Sequence, residues 1–268
     1  MEQLKGKVVL LTGGSRGIGP IVAESLAKRG ANIALVARSQ SGLDDVATRL
    51  RQLGIKTLTM PIDLNQPSQR EKLVADVLSE FEKIDILVNN AGLETEGAYT
   101  ELDWPSIQET IEVNLTAPMA LTHLVLPGML ERKSGHIVNI ASIAAKSGGP
   151  YGATYSGTKA GMAEWTRGLR LELRNSGVRF STIFPGYVRE VGMFARFGMK
   201  PPRMVGSCHP SQVAEAVVHA IVKGKLEMII NSQPLRYFFM LNELSPALGD
   251  WLMRVSGAIE FQRRKVGK

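Results

Sequence analysis

Seven short apolar runs recur through the chain, at residues 8–12, 32–37, 56–61, 84–89, 136–140, 178–184 and 227–230. Several are apolar almost throughout, the pattern of a strand buried on both faces. Between them, residues 21–29, 43–53, 70–81, 107–130, 153–174 and 210–223 space their apolar positions at helical period. Strands that alternate with connections of this length predict an α/β fold, a Rossmann-like, doubly wound parallel sheet of about seven strands with helices on both faces.

The rhythm fails in two places. Residues 188–209 hold Gly192, Gly198, Pro201, Pro202 and Gly206 among scattered Met, Phe and Arg, with no period. A loop that long is usually functional, and a lid over a pocket is the expectation. The second place is the end of the chain. Residues 1–231 read as a single domain, and residues 232–268 as a helical extension packed on it, which Pro246 and Gly249 are expected to split into two short helices.

Composition narrows the class. With 44% hydrophobic and 21% charged residues the chain has ample material for a core, which excludes a disordered or fibrous protein. Its one cysteine, Cys208, excludes a disulfide framework and a cysteine-rich zinc site, and suits a reducing compartment. The first residues carry Glu2, Lys5 and Lys7 and run straight into a strand, so no secretory apolar region is expected and the chain should stay in the cytoplasm. One uncharged run, residues 113–130, has membrane-span length, but Asn114, Thr116, Pro118, His123 and Pro127 interrupt it, and it reads as a buried helix. The net charge of +7 raises the question of nucleic acid. Much of the excess falls late, in Arg196, Lys200, Arg203, Arg254, Arg263, Arg264, Lys265 and Lys268, with no nucleic-acid motif beside it, so a solvated basic face is expected and no metal site is foreseen.

The first candidate for chemistry follows the first strand. Thr12-Gly13-Gly14-Ser15-Arg16-Gly17-Ile18-Gly19 leads at once into a helix. Glycines let the backbone turn and approach a phosphate, and the helix N-terminus offers free N–H groups with partial positive charge, so this is a pyrophosphate cradle. The second strand ends Val36-Ala37-Arg38-Ser39. The acid that usually accepts from a ribose 2′-hydroxyl is missing there, and Arg38 and Arg16 supply guanidinium groups suited to a 2′-phosphate, which selects NADP(H).

Tyr155 and Lys159 are four apart near the start of a helical stretch, on one face. An ammonium beside a phenol favours the phenolate, so Lys159 is expected to lower the Tyr155 pKa toward neutrality and make it a proton donor to a carbonyl. Ser142, just past the fifth strand, is placed to hydrogen-bond the same oxygen. His123 and His136 fall on no such pattern and read as structural.

In order along the chain, the glycine-rich turn, Asp63-Leu64, Asn89-Asn90-Ala91-Gly92, Asn114, Ser142, Tyr155-x-x-x-Lys159 and Pro185-Gly186 closely resemble the short-chain dehydrogenase/reductase family. The resemblance implies a catalytic tetrad of Asn114, Ser142, Tyr155 and Lys159. Tyr155 would be the acid/base, Ser142 would orient the substrate oxygen, Lys159 would hold the nicotinamide ribose, and Asn114 would hold a water relaying protons to Lys159. It implies that Asp63 and Leu64 meet the adenine, that Asn90, Ala91 and Gly92 line the ribose region, and that Pro185, Gly186 and Val188 lie by the nicotinamide. It also implies a homodimer or homotetramer. Glu190 departs from the family pattern, which often has Thr there to anchor the carboxamide, and a carboxylate cannot donate to its carbonyl.

The expected reaction is hydride transfer between NADPH and a ketone or aldehyde, reversible with the alcohol. Two other classes stand beside it: an NADP(H)-sensing protein without turnover, and an interaction protein recruited to a membrane by its tail. Tyr151, Met193 and Phe194 are candidate substrate contacts, with Phe197 and Met199 beside them. The tail, with Tyr237, Phe238, Phe239, Trp251 and a basic end, reads either as packing or as an interfacial helix, and under both readings favours a bulky hydrophobic substrate.

Overall fold

The computed structural model describes residues 3–267. Its seven strands are β1 (Val8–Thr12), β2 (Asn32–Ala37), β3 (Thr57–Pro61), β4 (Ile86–Asn89), β5 (Gly135–Ile140), β6 (Val178–Pro185) and β7 (Glu227–Ile230). All pair in parallel in the order β3-β2-β1-β4-β5-β6-β7. β1 lies centrally, Val9 opposing Ile33 on one side and Ile86 on the other, and all five of its residues are buried. The strand bounds match the apolar runs within two residues. The largest difference is at β4, which starts at Ile86 rather than at Ile84, where Asp85 instead accepts from the Val8 N–H through its carboxylate.

Eleven helices complete the described chain. In the first part these are α1 (Gly19–Ala27), α2 (Gln40–Arg51), α3 (Pro67–Phe81), α4 (Trp104–Ile111), α5 (Ala117–Glu131), α6 (Ala153–Glu172), the single turn α7 (Gly192–Ala195) and α8 (Pro210–Lys223). Because successive strand residues face opposite ways, β1 feeds two cores. Val9 and Leu11 pack with Val22 and Leu26 of α1, Leu50 of α2 and Val217 of α8. Leu10 packs on the other face with Leu73 and Val77 of α3 and Leu121 and Val125 of α5. A smaller core joins Met162 and Ala163 of α6 to Ala141 and Phe184.

A π-turn at Glu112–Thr116 joins α4 to α5, making one helix over Trp104–Glu131, the only helix among the described residues long and apolar enough to cross a membrane. Leu121, Val125 and Met129 bury its inner face in the core, as the sequence reading expects.

The tail departs from expectation. It forms three helices, α9 (Arg236–Leu244), α10 (Pro246–Val255) and α11 (Ala258–Lys265). Pro246 does separate the first two, since Ser245 caps α10 with Pro246 in its first turn. Gly249 breaks nothing. It lies inside α10, where a Cβ would stand 2.0 Å from Asn242 Oδ1, so glycine is what lets α10 pack against α9. The second break is at Gly257, whose φ of 75° favours glycine. Residues 188–209 form a closed loop pinched at its base, where Val188 bridges Cys208 and the Arg189 N–H donates to the Cys208 carbonyl at 3.0 Å.

Candidate active site

The connections from β1 run toward β2 on one side, while β4 lies on the other, which opens a crevice at the carboxyl ends of the two strands. Thr12, the last residue of β1, accepts from the N–H groups of Asn90 and Ala91 through Oγ1, each at 3.0 Å. Asn90 returns the contact, its Nδ2 donating to the Thr12 carbonyl at 2.9 Å and to Gly13 O at 3.2 Å. Its amide nitrogen is thus spent on the fold, while its buried Oδ1 has no partner.

Glycine is required at two positions of the turn. A Cβ on Gly19 would stand 2.0 Å from the Gly13 carbonyl oxygen, so only glycine allows α1 to begin this close to β1. Gly13, at φ 68°, would meet Ala91 Cα at 2.9 Å. Gly13, Arg16, Gly17 and Ile18 border a cavity of about 800 Å³ that Asn90, Ala91 and Gly92 continue on the β4 side. Gly17 abuts the lid, with only 3.3 Å from the place of its Cβ to Gly192 Cα.

Arg38, Ser39, Asp63 and Leu64 do not line that cavity. Arg38 is exposed and pairs with Glu109 at 3.5 Å, a surface contact of little strength. Ser39 caps α2 by accepting from the Gly42 N–H, and Ser15 lies beside Gly42. Asp63 accepts from Asn65 N–H at 3.0 Å, and Leu64 is buried in the core.

The four residues expected to form a tetrad come from three elements, the π-turn, the loop after β5 and α6. The π-turn carries Asn114, whose side chain bridges the loop after Gly92: Oδ1 accepts from Leu93 N–H at 2.7 Å, and Nδ2 donates to Leu93 O at 2.8 Å and Thr158 Oγ1 at 3.2 Å. Both amide donors are used, so Asn114 fixes the cavity wall first, with one acceptor site left for a water. Ser142 follows β5, its Oγ accepting from Ala144 N–H at 3.2 Å and hydrogen-bonding the Tyr155 phenol. Lys159 is buried on α6, and its Nζ donates to Ile140 O at 2.9 Å.

The expected effect of Lys159 on Tyr155 is overturned. Burial pushes the Tyr155 phenol well above its ordinary range, the carboxylates of Glu94 and Glu96 push it further, and the Ser142 hydrogen bond only partly opposes them. Lys159 Nζ is held on Ile140 O, 5.9 Å from the Tyr155 ring centre. Burial also lowers Lys159 itself to about 8, because an ammonium without water is costly. The protein alone therefore keeps Tyr155 as a protonated phenol.

Pro185, Gly186 and Val188 line the cavity after β6, and a Cβ on Gly186 would meet Asn231 Oδ1 at 2.3 Å. Met193 and Phe194 line it from the lid, Phe194 with its ring centre 4.6 Å from that of Tyr187. Tyr151, Phe197 and Met199 do not. Tyr151 has φ 63°, and its carbonyl accepts from Gly97 N–H at 2.9 Å, so it shapes the loop beside the cavity instead of lining it. Phe197 packs against the Lys265 ammonium at 4.7 Å. Glu190 turns outward at φ 71° to His209 Nε2 at 2.9 Å, away from the cavity. His136 is structural, as expected: it is buried, bonded to Ser181 Oγ at 2.8 Å and lowered to about 3 by burial.

Glu94, Glu96 and Lys265 are the functional candidates that sequence reasoning missed. Lys265 does not belong to a solvated basic end. Its side chain is 1% exposed and pairs with Glu94 Oε1 at 3.0 Å and with Glu96, closing α11 over the cavity. Burial and Glu94 raise Glu96 above the ordinary carboxylate range, against the pull of Lys265. Phe261 of α11 packs edge-on against Tyr187, ring centres 5.5 Å apart. A carboxylate pair directly after Asn90-Ala91-Gly92 was the one available signal for this cluster.

A model of the short chain dehydrogenase family matches residues 7–200. The chain is 39% identical, over 99% of its length and 94% of the relative's, to the ketoacyl reductase HetN of Nostoc sp.. A solved metagenomic short-chain oxidoreductase in complex with NADP superposes with a TM-score of 0.74 at 29% identity, covering 87% of this chain and 99% of that one. An alcohol dehydrogenase from Thermococcus sibiricus complexed with 5-hydroxy-NADP gives a TM-score of 0.75 at 30% identity, covering 84% of this chain and 96% of that one.

Proposed function

The chain belongs to the short-chain dehydrogenase family, and from that premise we propose that it is an NADPH-dependent reductase of a ketone or aldehyde carried on a bulky apolar molecule. The ketoacyl reductase name of its Nostoc relative supports a 3-oxoacyl compound as the first substrate to try.

The residues present fit the cofactor. The glycine cradle suits a diphosphate, and the unpartnered Asn90 Oδ1 bordering the same cavity can accept from a ribose hydroxyl. Gly13, Ser15, Gly17, Ile18 and Gly19 would hold the pyrophosphate, Arg16, Arg38 and Ser39 the 2′-phosphate, and Asp63 and Leu64 the adenine. Asn90, Ala91, Gly92, Lys159, Pro185, Gly186 and Val188 would hold the nicotinamide half. NADPH supplies the hydride when bound.

The chain's own residues supply the rest. Tyr155 donates its phenolic proton to the carbonyl oxygen, and the raised phenol keeps that proton available throughout the neutral range. Ser142 holds the same oxygen by hydrogen bond and polarises the carbonyl. The Lys159 ammonium of α6, held on Ile140 O at the end of β5, would hold the nicotinamide ribose. Asn114 fixes the loop that forms the opposite wall.

One observation carries the substrate reading. The cavity that holds Tyr155 and Ser142 extends under Phe238, Phe239, Leu252 and Met253 of the tail, so the reacting carbonyl would sit at the end of an apolar chamber. The test is NADPH oxidation with 3-oxoacyl thioesters of increasing chain length. kcat/KM should rise with chain length. NADPH binding without turnover of any carbonyl would favour a nucleotide sensor, and preference for a short polar ketone would refute the apolar chamber.

A further inference from the structure

The hairpin of α9 and α10 is apolar on both sides. Its inner side lines the cavity through Phe238, Phe239, Leu252 and Met253. Its outer side presents Tyr237, Met240, Leu241 and Leu244 at helical spacing on α9, and Leu248, Trp251 and Val255 on α10, all exposed. An apolar ridge of this kind on a monomer marks an interaction surface. Leu241 of the ridge and the exposed Met204 of the loop 188–209 also line the cavity, so the ridge runs into its mouth.

Positive charge prevails around this face. Among the described residues of 188–209 and 232–268, eight Lys or Arg are exposed against four Asp or Glu, Lys265 being buried on Glu94 and Glu96. On the hairpin itself Arg236 and Arg254 are exposed, balanced by the exposed Glu243 and Asp250, so the excess lies on its flanks. Arg203 is exposed next to Met204, its carbonyl accepting from Gln233 Nε2 at 2.9 Å, so lid and tail form one surface.

We propose that this face docks on an anionic lipid surface, with α9 and α10 lying in the interface and the cavity mouth at Met204 and Leu241 opening toward the acyl layer. At nine and ten residues, neither helix is long enough to span a bilayer, but an apolar face with Trp, Tyr and flanking Arg suits the plane of the headgroups. The alternative occupant, a second copy, would set the exposed Arg196, Lys200 and Arg203 beside the ridge against their own copies across a two-fold axis, whereas anionic lipid complements them. The docking follows from the surface alone. Only the passage of substrate from lipid into the cavity rests on the reductase reading.

The test is sedimentation of the full chain with phosphatidylcholine vesicles, with and without phosphatidylglycerol, at low and high salt. The protein should pellet with the anionic vesicles and be released by salt. Arg236→Glu and Arg254→Glu should each weaken binding roughly fivefold or more, and Leu244→Ser with Trp251→Ser by at least ~10-fold. Turnover of a water-soluble carbonyl should stay unchanged in the serine variant, which separates a loss of docking from a loss of catalysis or folding. Undiminished pelleting of these variants, or equal pelleting with neutral vesicles, would overturn the proposal. So would a homodimer that the serine variant splits in sedimentation velocity, because the ridge would then belong to a second copy.

Discussion

Lys265 and Glu94 are 171 residues apart in sequence, and their Nζ and Oε1 atoms are 3.0 Å apart beneath the last helix. With Glu96 they form a buried cluster of two carboxylates and one ammonium, which ties the end of the chain to the loop after β4. The same carboxylates raise the Tyr155 phenol, so the tail bears on the electrostatics of the proposed proton donor.

Removing the ammonium leaves two carboxylates without their counter-charge in a dry site. Lys265→Met should cost about 3–5 kcal/mol of stability, measured by urea unfolding, as expected for breaking a buried ion pair from one side. The triple change Glu94→Gln, Glu96→Gln and Lys265→Met removes every charge and should recover most of that loss. An unchanged unfolding midpoint in the single variant would mean that water reaches the cluster.

Tyr155→Phe should retain NADPH binding while lowering kcat by ~10²–10⁴-fold, the contribution expected of a positioned general acid. Stopped-flow turnover combined with NADPH fluorescence titration separates the two effects. Undiminished reduction of the same carbonyl would remove Tyr155 from its role.

Under the proposed function cofactor choice would depend on Arg38, which in the protein alone makes only a weak surface pair with Glu109. Arg38→Ala should weaken NADPH binding by about 1.5–3 kcal/mol through loss of a charge-assisted hydrogen bond, and leave NADH nearly unaffected. Calorimetric titration with both cofactors checks this, and equal affinities in the unaltered protein would refute the preference.

The lowered Lys159 pKa fixes a sign for alkaline stability. In the unfolded chain this lysine titrates near 10.5 and in the folded protein near 8, so between those values the unfolded state binds more protons. Stability without cofactor should therefore gain from this residue as pH rises from about 8 to about 10.5, by up to about 3 kcal/mol. The measurement is the pH dependence of urea unfolding in the unaltered protein minus that in Lys159→Met. A difference that falls with pH, or none, would show that Lys159 is hydrated in the fold.

The sequence by itself determined the sheet and most of the cavity's chemistry. Strands buried on both faces must be apolar throughout, so residues 8–12 and 32–37 announce β1 and β2 without tertiary help. The glycine turn and the Tyr155–Lys159 pair are local, a few residues apart on one turn or one helix face, and local spacing survives folding.

Only the tertiary structure decided what distance in sequence conceals. That Lys159 Nζ rests on Ile140 O depends on how α6 packs against β5, and burial of the Tyr155 phenol, with Glu94 nearby, raises its pKa instead of lowering it. That Tyr151 turns aside while Met193 and Phe194 enter the cavity depends on the left-handed backbone at Tyr151 and on the closed base of the lid. Lys265 looked like one more solvated charge because a charge carries no local signal of its partner. Its burial follows from α11 folding back over β4's loop, where two carboxylates make burying an ammonium tolerable.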